Sequence, residues 1–184
     1  MRDEIIWKYK HIGVTLQTGM KKVIFLDIDG VLNPKWWISK KPSDKYGVFF
    51  EANAVANLEK IIVETGADIV ISSSWKNMGF SVVQSMWKDR KLPGKVIDVT
   101  PDYMSDKMLL NADLNDTDID HLYIRGCEIK GWLELHGADV SHYVIIDDMD
   151  DVIPEQQSHL VQTDPEIGIS DWDATMAIMI LNNL

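Results

Sequence analysis

Cysteine is almost missing from this sequence. Cys127 is the single thiol in 184 residues, so no internal disulfide can staple the fold. Histidines 11, 121, 136, 142 and 159 show neither a His-x-x-x-His pair nor Cys/His spacing, which argues against zinc. Positive charge is also scarce. With 18 Lys and Arg against 29 Asp and Glu, the net charge is -11, which disfavours wrapping a nucleic acid by bulk electrostatics but leaves room for a local basic contact. No apolar run approaches the length of a membrane span, and the opening Met1-Arg2-Asp3-Glu4 lacks the apolar stretch of a signal peptide. A cytoplasmic protein with no membrane association and no obligate protein partner is the expectation.

What is present is an ordinary globular composition, 46% hydrophobic and 26% charged, long enough for one domain with a full core. The organising stretch is Val23-Ile24-Phe25-Leu26-Asp27-Ile28-Asp29-Gly30-Val31-Leu32-Asn33. Four apolar residues lead into two aspartates and then a glycine, the pattern of a buried strand that ends in a site. Gly30 invites the backbone to turn, so both carboxylates can crowd one small volume and call for a cation. An acidic, all-oxygen site suits Mg²⁺, and a desolvated carboxylate beside it is a competent nucleophile towards phosphorus. Taken alone, Asp-x-Asp is better read as a turn whose acids cap the next helix.

The rest of the chain alternates strands with helices. Residues 1–19 carry no motif and are either an upstream extension or an extra edge strand around Ile12 to Leu16; the domain proper is expected over 20–184. Asn33 to Phe50, rich in Lys, Trp, Pro and Gly, reads as a flap over the site. Glu51 to Thr65 has helical apolar spacing and stops at Gly66. A second strand, Ala67 to Ile71, runs into Ser72-Ser73-Ser74-Trp75-Lys76; a helix over Phe80 to Lys91 and a third strand over Val96 to Val99 follow. Thr100 to Leu122 reads mostly as loop with room for one short helix. Gly126 to His136 is a helix, Tyr143 to Ile146 a fourth strand opening onto Asp147-Asp148-x-Asp150-Asp151, and His159 to Gln162 a short fifth strand. Ser170-x-x-Asp173 has the form of a capping box before the apolar run Met176 to Leu181. Such alternation implies an α/β, doubly wound three-layer sandwich around a central parallel sheet, with ligands bound at the carboxyl ends of its strands.

The strand followed by Asp27-x-Asp29-Gly30-Val31-Leu32 resembles the first motif of the haloacid dehalogenase (HAD) superfamily of phosphohydrolases. The resemblance implies that Asp27 attacks phosphorus and Asp29 is the general acid and base. The strand ending in Ser72 resembles the second motif, whose hydroxyl and neighbouring amides, Ser73 among them, hold phosphoryl oxygens; a serine after a strand is otherwise an ordinary turn residue. The third motif is a cation near the start of the helix before strand four. Arg125 and Lys130 both qualify, Arg125 preferred for its place at the helix start; either could also be a solvated helix-end charge. The fourth is the strand into Asp147-Asp148, completing with Asp27 and Asp29 the set of metal ligands for Mg²⁺. Ile71-Ser72-Ser73-Ser74-Trp75-Lys76, Arg125-Gly126-x-Glu128-Ile129-x-x-Trp132-Leu133 and Asp164-x-x-x-Gly168-Ile169 together look like the small HAD domains found beside RNA-repair enzymes, similar in plan to polynucleotide-kinase phosphatase domains. Lys76 departs from the Arg expected after Ser-Ser-Trp: it keeps the charge and loses the bidentate fork, as a phosphate contact.

The resemblance implies a phosphomonoesterase working through an aspartyl-phosphate, without a large cap domain. Its open site would admit the end of a nucleotide or oligonucleotide, with Trp36 and Trp37 as stacking faces among lysines 35, 40, 41 and 45. Two tryptophans packed beneath a solvated lysine loop is the plainer account of the same residues. The alternatives are a small-metabolite phosphatase of the same superfamily and a non-enzymatic phospho-acceptor domain of the receiver type.

Overall fold

In a computed structural model, residues 21–38, 42–103 and 123–184 are described. The suggested edge strand near the N-terminus, Lys40, Lys41 and most of the Thr100–Leu122 stretch lie outside them. The sheet is built from β1 (Lys21–Leu26), β4 (Asp68–Ile71), β5 (Val96–Val99), β6 (Val140–Asp147) and β7 (Leu160–Gln162), all parallel and ordered β5-β4-β1-β6-β7. Strand β1 is central, and the strand order reverses there.

Both faces of β1 are buried, and its period of two divides them. Ile24 and Leu26 join the larger core, which takes in α2 (Ala52–Thr65), α3 (Phe80–Asp89) and α5 (Asp171–Asn182) through Leu58, Ile61, Met86, Ala177 and Leu181. Val23 and Phe25 face the other way, where Ile129 and Trp132 of α4 (Ile124–His136) close a smaller core and the Trp132 ring meets Phe25 edge-on at 5.4 Å. Helices therefore cover both faces.

Local signals end these elements as their chemistry demands. Glu51 caps α2 by accepting from the Ala54 amide at 2.8 Å, and Gly66 closes it in the left-handed region at φ 68. Ser170 and Asp173 form the reciprocal capping box of α5. Several expected boundaries move: α4 begins at Ile124 rather than Gly126, β6 runs from Val140 to Asp147 rather than from Tyr143 to Ile146, β4 and β7 each start one residue later, at Asp68 and Leu160, and α3 stops at Asp89 rather than Lys91.

The segment after Asn33 has more structure than a loop. A short helix α1 (Lys35–Ile38) is followed by a small hairpin of β2 (Ser43–Asp44) and β3 (Gly47–Val48). The hairpin is clamped to the end of α3. Arg90 grips Asp44 with two bonds of 3.0 and 2.7 Å and donates to the Gly47 carbonyl at 3.0 Å, and its guanidinium lies over the rings of Phe49 and Phe50 at 5.0 Å each.

Candidate active site

The site follows from strand register. Leu26 pairs with Ile71 of β4 and with Ile146 of β6, so the next residue along each chain, Asp27, Ser72 and Asp147, stands level with the others at the carboxyl edge. Main-chain bonds fix that edge: the Asp27 amide donates to the Ile146 carbonyl at 3.0 Å and the Ser72 amide to the Leu26 carbonyl at 2.9 Å. Carboxylate oxygens of Asp27, Asp147 and Asp148 lie within 4.8 Å of one another, a group that could hold a metal ion.

Glycine determines how closely this cluster can form. Gly30 has φ +79, and a Cβ there would come within 2.5 Å of Asp148 Cγ, so the Asp148 carboxylate rests on the bare backbone of the β1 loop. The loop is held from behind: the Thr163 hydroxyl donates to the Gly30 carbonyl at 3.0 Å, and the Ile169 amide to the Val31 carbonyl at 3.0 Å. The Asp164-x-x-x-Gly168-Ile169 stretch thus serves as a turn supporting the first aspartate loop.

Arg125 sits in the first turn of α4 and reaches over the strand ends. Its guanidinium approaches Asp27 at 3.4 Å and Asp147 at 3.0 Å, and donates to the Ser72 carbonyl. Gly126 lets α4 come this close. Its amide donates to the Asp151 carbonyl at 3.0 Å, Gln156 Nε2 donates to its carbonyl at 3.0 Å, and a Cβ there would strike the Ile153 main-chain nitrogen. Lys130 is exposed on the outer side of α4, so the structure brings Arg125 and not Lys130 into the cluster.

The electrostatics record crowded acids in a dry place. Burial pushes Asp27 well above the ordinary carboxylate range despite the opposing charge of Arg125 and a hydrogen bond from the Ser73 side chain. Asp147 is raised further by burial, with Asp27 and Asp151 adding to the effect and Arg125 opposing it. Burial works against the charge of Arg125, but Asp147, Asp27 and Asp151 more than offset it and hold it above its usual value. One guanidinium does not neutralise this group, which favours a further cation. The Ser72 hydroxyl is buried with no hydrogen-bond partner among the described residues, an unspent donor beside Asp27.

Asp29 stands apart from the buried acids. It is exposed, with one oxygen accepting from Asn33 Nδ2 at 3.3 Å and the other from Trp75 Nε1 at 3.0 Å. Lys76 points elsewhere: its ammonium meets Glu128 at 2.5 Å, the Pro101 carbonyl at 2.8 Å and the Thr100 hydroxyl at 3.3 Å. Those three acceptors match its three protons, so the charge that the sequence suggested for phosphate has a buried protein partner instead. Trp36 and Trp37 stand edge-to-face at 5.5 Å on α1; Trp37 Nε1 donates to the Phe49 carbonyl at 2.6 Å, while Trp36 is 53% exposed. Trp75 and Glu128 are the participants that sequence reasoning did not assign. A clue lay in spacing, since Glu128 falls one helical turn after Arg125 and therefore on the same side of α4.

Among known families, the one described as "HAD domain in Swiss Army Knife RNA repair proteins" matches residues 23–174. No curated protein and no solved structure matches the chain.

Proposed function

The chain belongs to the family of HAD domains in Swiss Army Knife RNA repair proteins, which supports a phosphatase-type hydrolase at the superfamily level, and from that premise we propose a Mg²⁺-dependent phosphomonoesterase that works through an aspartyl-phosphate. The observation that carries this reading is the position of Asp27. Its carboxylate is buried between Arg125, the serines after β4, and the partner acids Asp147 and Asp148. Asp27, Asp147, Asp148 and the main-chain carbonyl of Asp29 would hold Mg²⁺, which when bound supplies positive charge to the phosphoryl oxygens and to the crowded carboxylates.

In the first step an Asp27 oxygen bonds to phosphorus as the bond from phosphorus to the leaving oxygen breaks, and Asp29 gives that oxygen its proton. Arg125 and the Ser72 hydroxyl offer positive charge and a donor to the phosphoryl group. In the second step Asp29, now ionised, takes a proton from water. The water oxygen bonds to phosphorus, the bond to Asp27 breaks, and inorganic phosphate leaves with the Asp27 carboxylate restored. A receiver-type acceptor fits less well, because β5 ends in Val99-Thr100-Pro101 rather than in an acid.

The substrate class rests on two supports. The family is named for RNA repair proteins, and the exposed Trp36 ring offers a face for a terminal base, with Lys35 beside it on the same short helix. We assign a terminal phosphate on a nucleotide or oligonucleotide.

The test takes wild type, Asp27→Asn and Asp29→Asn through a panel of 3′- and 5′-phosphorylated oligonucleotides, nucleotides and sugar phosphates with Mg²⁺. Asp27→Asn should lose turnover, while Asp29→Asn should accumulate protein phosphorylated on Asp27, seen by mass spectrometry. Turnover surviving in Asp27→Asn rules out the aspartyl-phosphate. Trp36→Ala should raise KM for an oligonucleotide end more than for a generic phosphate ester; a preference for sugar phosphates would move the reading to small metabolites.

A further inference from the structure

Trp75 occupies an unusual place for a residue that follows a phosphate-binding strand. It is the second residue of the 3₁₀ turn Ser74–Met78, its ring is partly buried, and its indole N–H goes to Asp29 Oδ2 rather than to main chain or solvent. The ring is fixed on its far side. Phe50 meets it at 5.5 Å with planes 61° apart, and a Cβ on Gly47 would lie 3.7 Å from its outer edge. Phe50 is in turn held by Trp87 at 6.2 Å and by Arg90 at 5.0 Å, and Arg90 is the residue that clamps the hairpin.

Asp29, by contrast, is an exposed side chain on a turn. Fixing an exposed carboxylate in one rotamer costs side-chain entropy that a directed hydrogen bond can offset. Asn33 Nδ2 holds the other oxygen at the longer distance of 3.3 Å and comes from the same loop, so among the described residues Trp75 is the hydrogen-bond partner that ties Asp29 to a different part of the fold.

We propose that Trp75 is a positioning residue for Asp29: its indole N–H, braced by Phe50 and the Arg90-clamped hairpin, holds the carboxylate in the rotamer from which it delivers a proton to the leaving oxygen. The inference rests on the phosphatase reading and goes beyond it by assigning the hairpin Ser43–Val48 a part in proton transfer. The indole N–H is spent on Asp29 Oδ2, so the contribution assigned to it runs through Asp29.

Leaving-group dependence separates this role from simple packing. p-Nitrophenolate departs with little help from an acid, whereas an alkoxide must be protonated as it leaves, so misplacing the acid penalises alkyl esters selectively. Trp75→Phe keeps the ring and removes the N–H. We expect kcat/KM for an alkyl phosphate to fall by about 10-fold and for p-nitrophenyl phosphate by less than about 3-fold, a fraction of the 10²–10⁴ that a general acid typically contributes, with KM for both little changed. In an Asp29→Asn background the same substitution should add no selective loss. The ratio between the two esters is independent of how much protein is folded, so partial destabilisation of the variant leaves the comparison intact. Equal losses on both esters, no loss on either, or a further selective loss in the Asp29→Asn background overturns the role of Trp75 while the phosphatase reading stands. Wild type that turns over neither ester nor any member of the substrate panel overturns both.

Discussion

Gly30 abuts Asp148 and Gly126 follows Arg125, so both border the acidic cluster, yet an added methyl group meets different obstacles at each. At Gly30 it would strike the carboxylate of Asp148, the movable end of a side chain, in a backbone conformation at φ +79 that disfavours L residues. At Gly126 it would strike the main chain of Ile153. Gly30→Ala should therefore fold, losing roughly 1–2 kcal/mol to the left-handed backbone, while Asp148 swings aside and Mg²⁺ affinity falls by about 10-fold, the order reported for disturbed metal environments. Gly126→Ala, where backbone must shift, should lose more stability. Calorimetric Mg²⁺ titration of Gly30→Ala beside a thermal melt separates the two; unchanged affinity would remove Asp148 from the ligand set. At this scale the sequence was informative wherever a residue follows an apolar run, as Asp27, Ser72 and Asp147 do. The pairings of Trp75 and Glu128 were not legible, even though the spacing from Arg125 hinted at the side of α4 that Glu128 shares, because their partners are 46 and 52 residues away and only the tertiary fold brings them together.

Two elements are joined to the site by charge. The 3₁₀ turn after β4 and helix α4 are bolted by Lys76 and Glu128, both nearly excluded from solvent, with Glu128 Oε1 also accepting from the Tyr103 amide at 3.2 Å. Burial lowers the Lys76 pKa, and the hydrogen bond and charge of Glu128 work to restore it. Removing one partner leaves an unpaired buried charge, so Glu128→Ala should cost about 3–5 kcal/mol, and Lys76→Met with Glu128→Leu should recover much of it. Denaturant melts of the single and double variants test this; a single variant within 1 kcal/mol of wild type would show that the pair is not buried in solution. The hairpin clamp responds to pH. Arg90 lowers Asp44 from its usual value to about 2. A depressed carboxylate stabilises the fold above its unfolded pKa, and that contribution is lost as pH falls from about 4 to about 2. Asp44→Asn should flatten the acid limb of the wild-type stability curve over that range, and parallel curves would exclude a contribution from the clamp. The expected flap is thus a fastened hairpin. The sequence concealed this because β2 and β3 are too short for periodicity, and their anchor, Arg90, follows α3 in a different stretch of chain.

For the molecule as a whole, the alternation of apolar strands and amphipathic helices was enough to anticipate the layered sheet, since each strand beside β1 carries its own apolar run and terminal polar group. What alternation could not supply was the register that sets Asp27, Ser72 and Asp147 level, a matter of main-chain pairing. The net charge of -11 sets the background against which binding of the proposed Mg²⁺ would show. A chain this acidic gains stability from any salt, because screening weakens repulsion among its surface carboxylates. The Mg²⁺ site proposed at Asp27, Asp147 and Asp148 would behave differently: it would saturate, and the ion would bind only the folded form. Mg²⁺ at about 100 times its dissociation constant should add roughly 2.7 kcal/mol, or about 5–10 °C in a domain of this size. Sodium chloride at matched ionic strength should give a smaller, non-saturating rise. Asp147→Asn removes one ligand from the cluster and leaves the surface charge almost as it was, so it should keep the sodium response and lose most of the Mg²⁺ increment. Melting temperatures that depend on ionic strength alone, equally in wild type and Asp147→Asn, would mean that the buried acids hold no divalent ion and that Arg125 is their whole compensation.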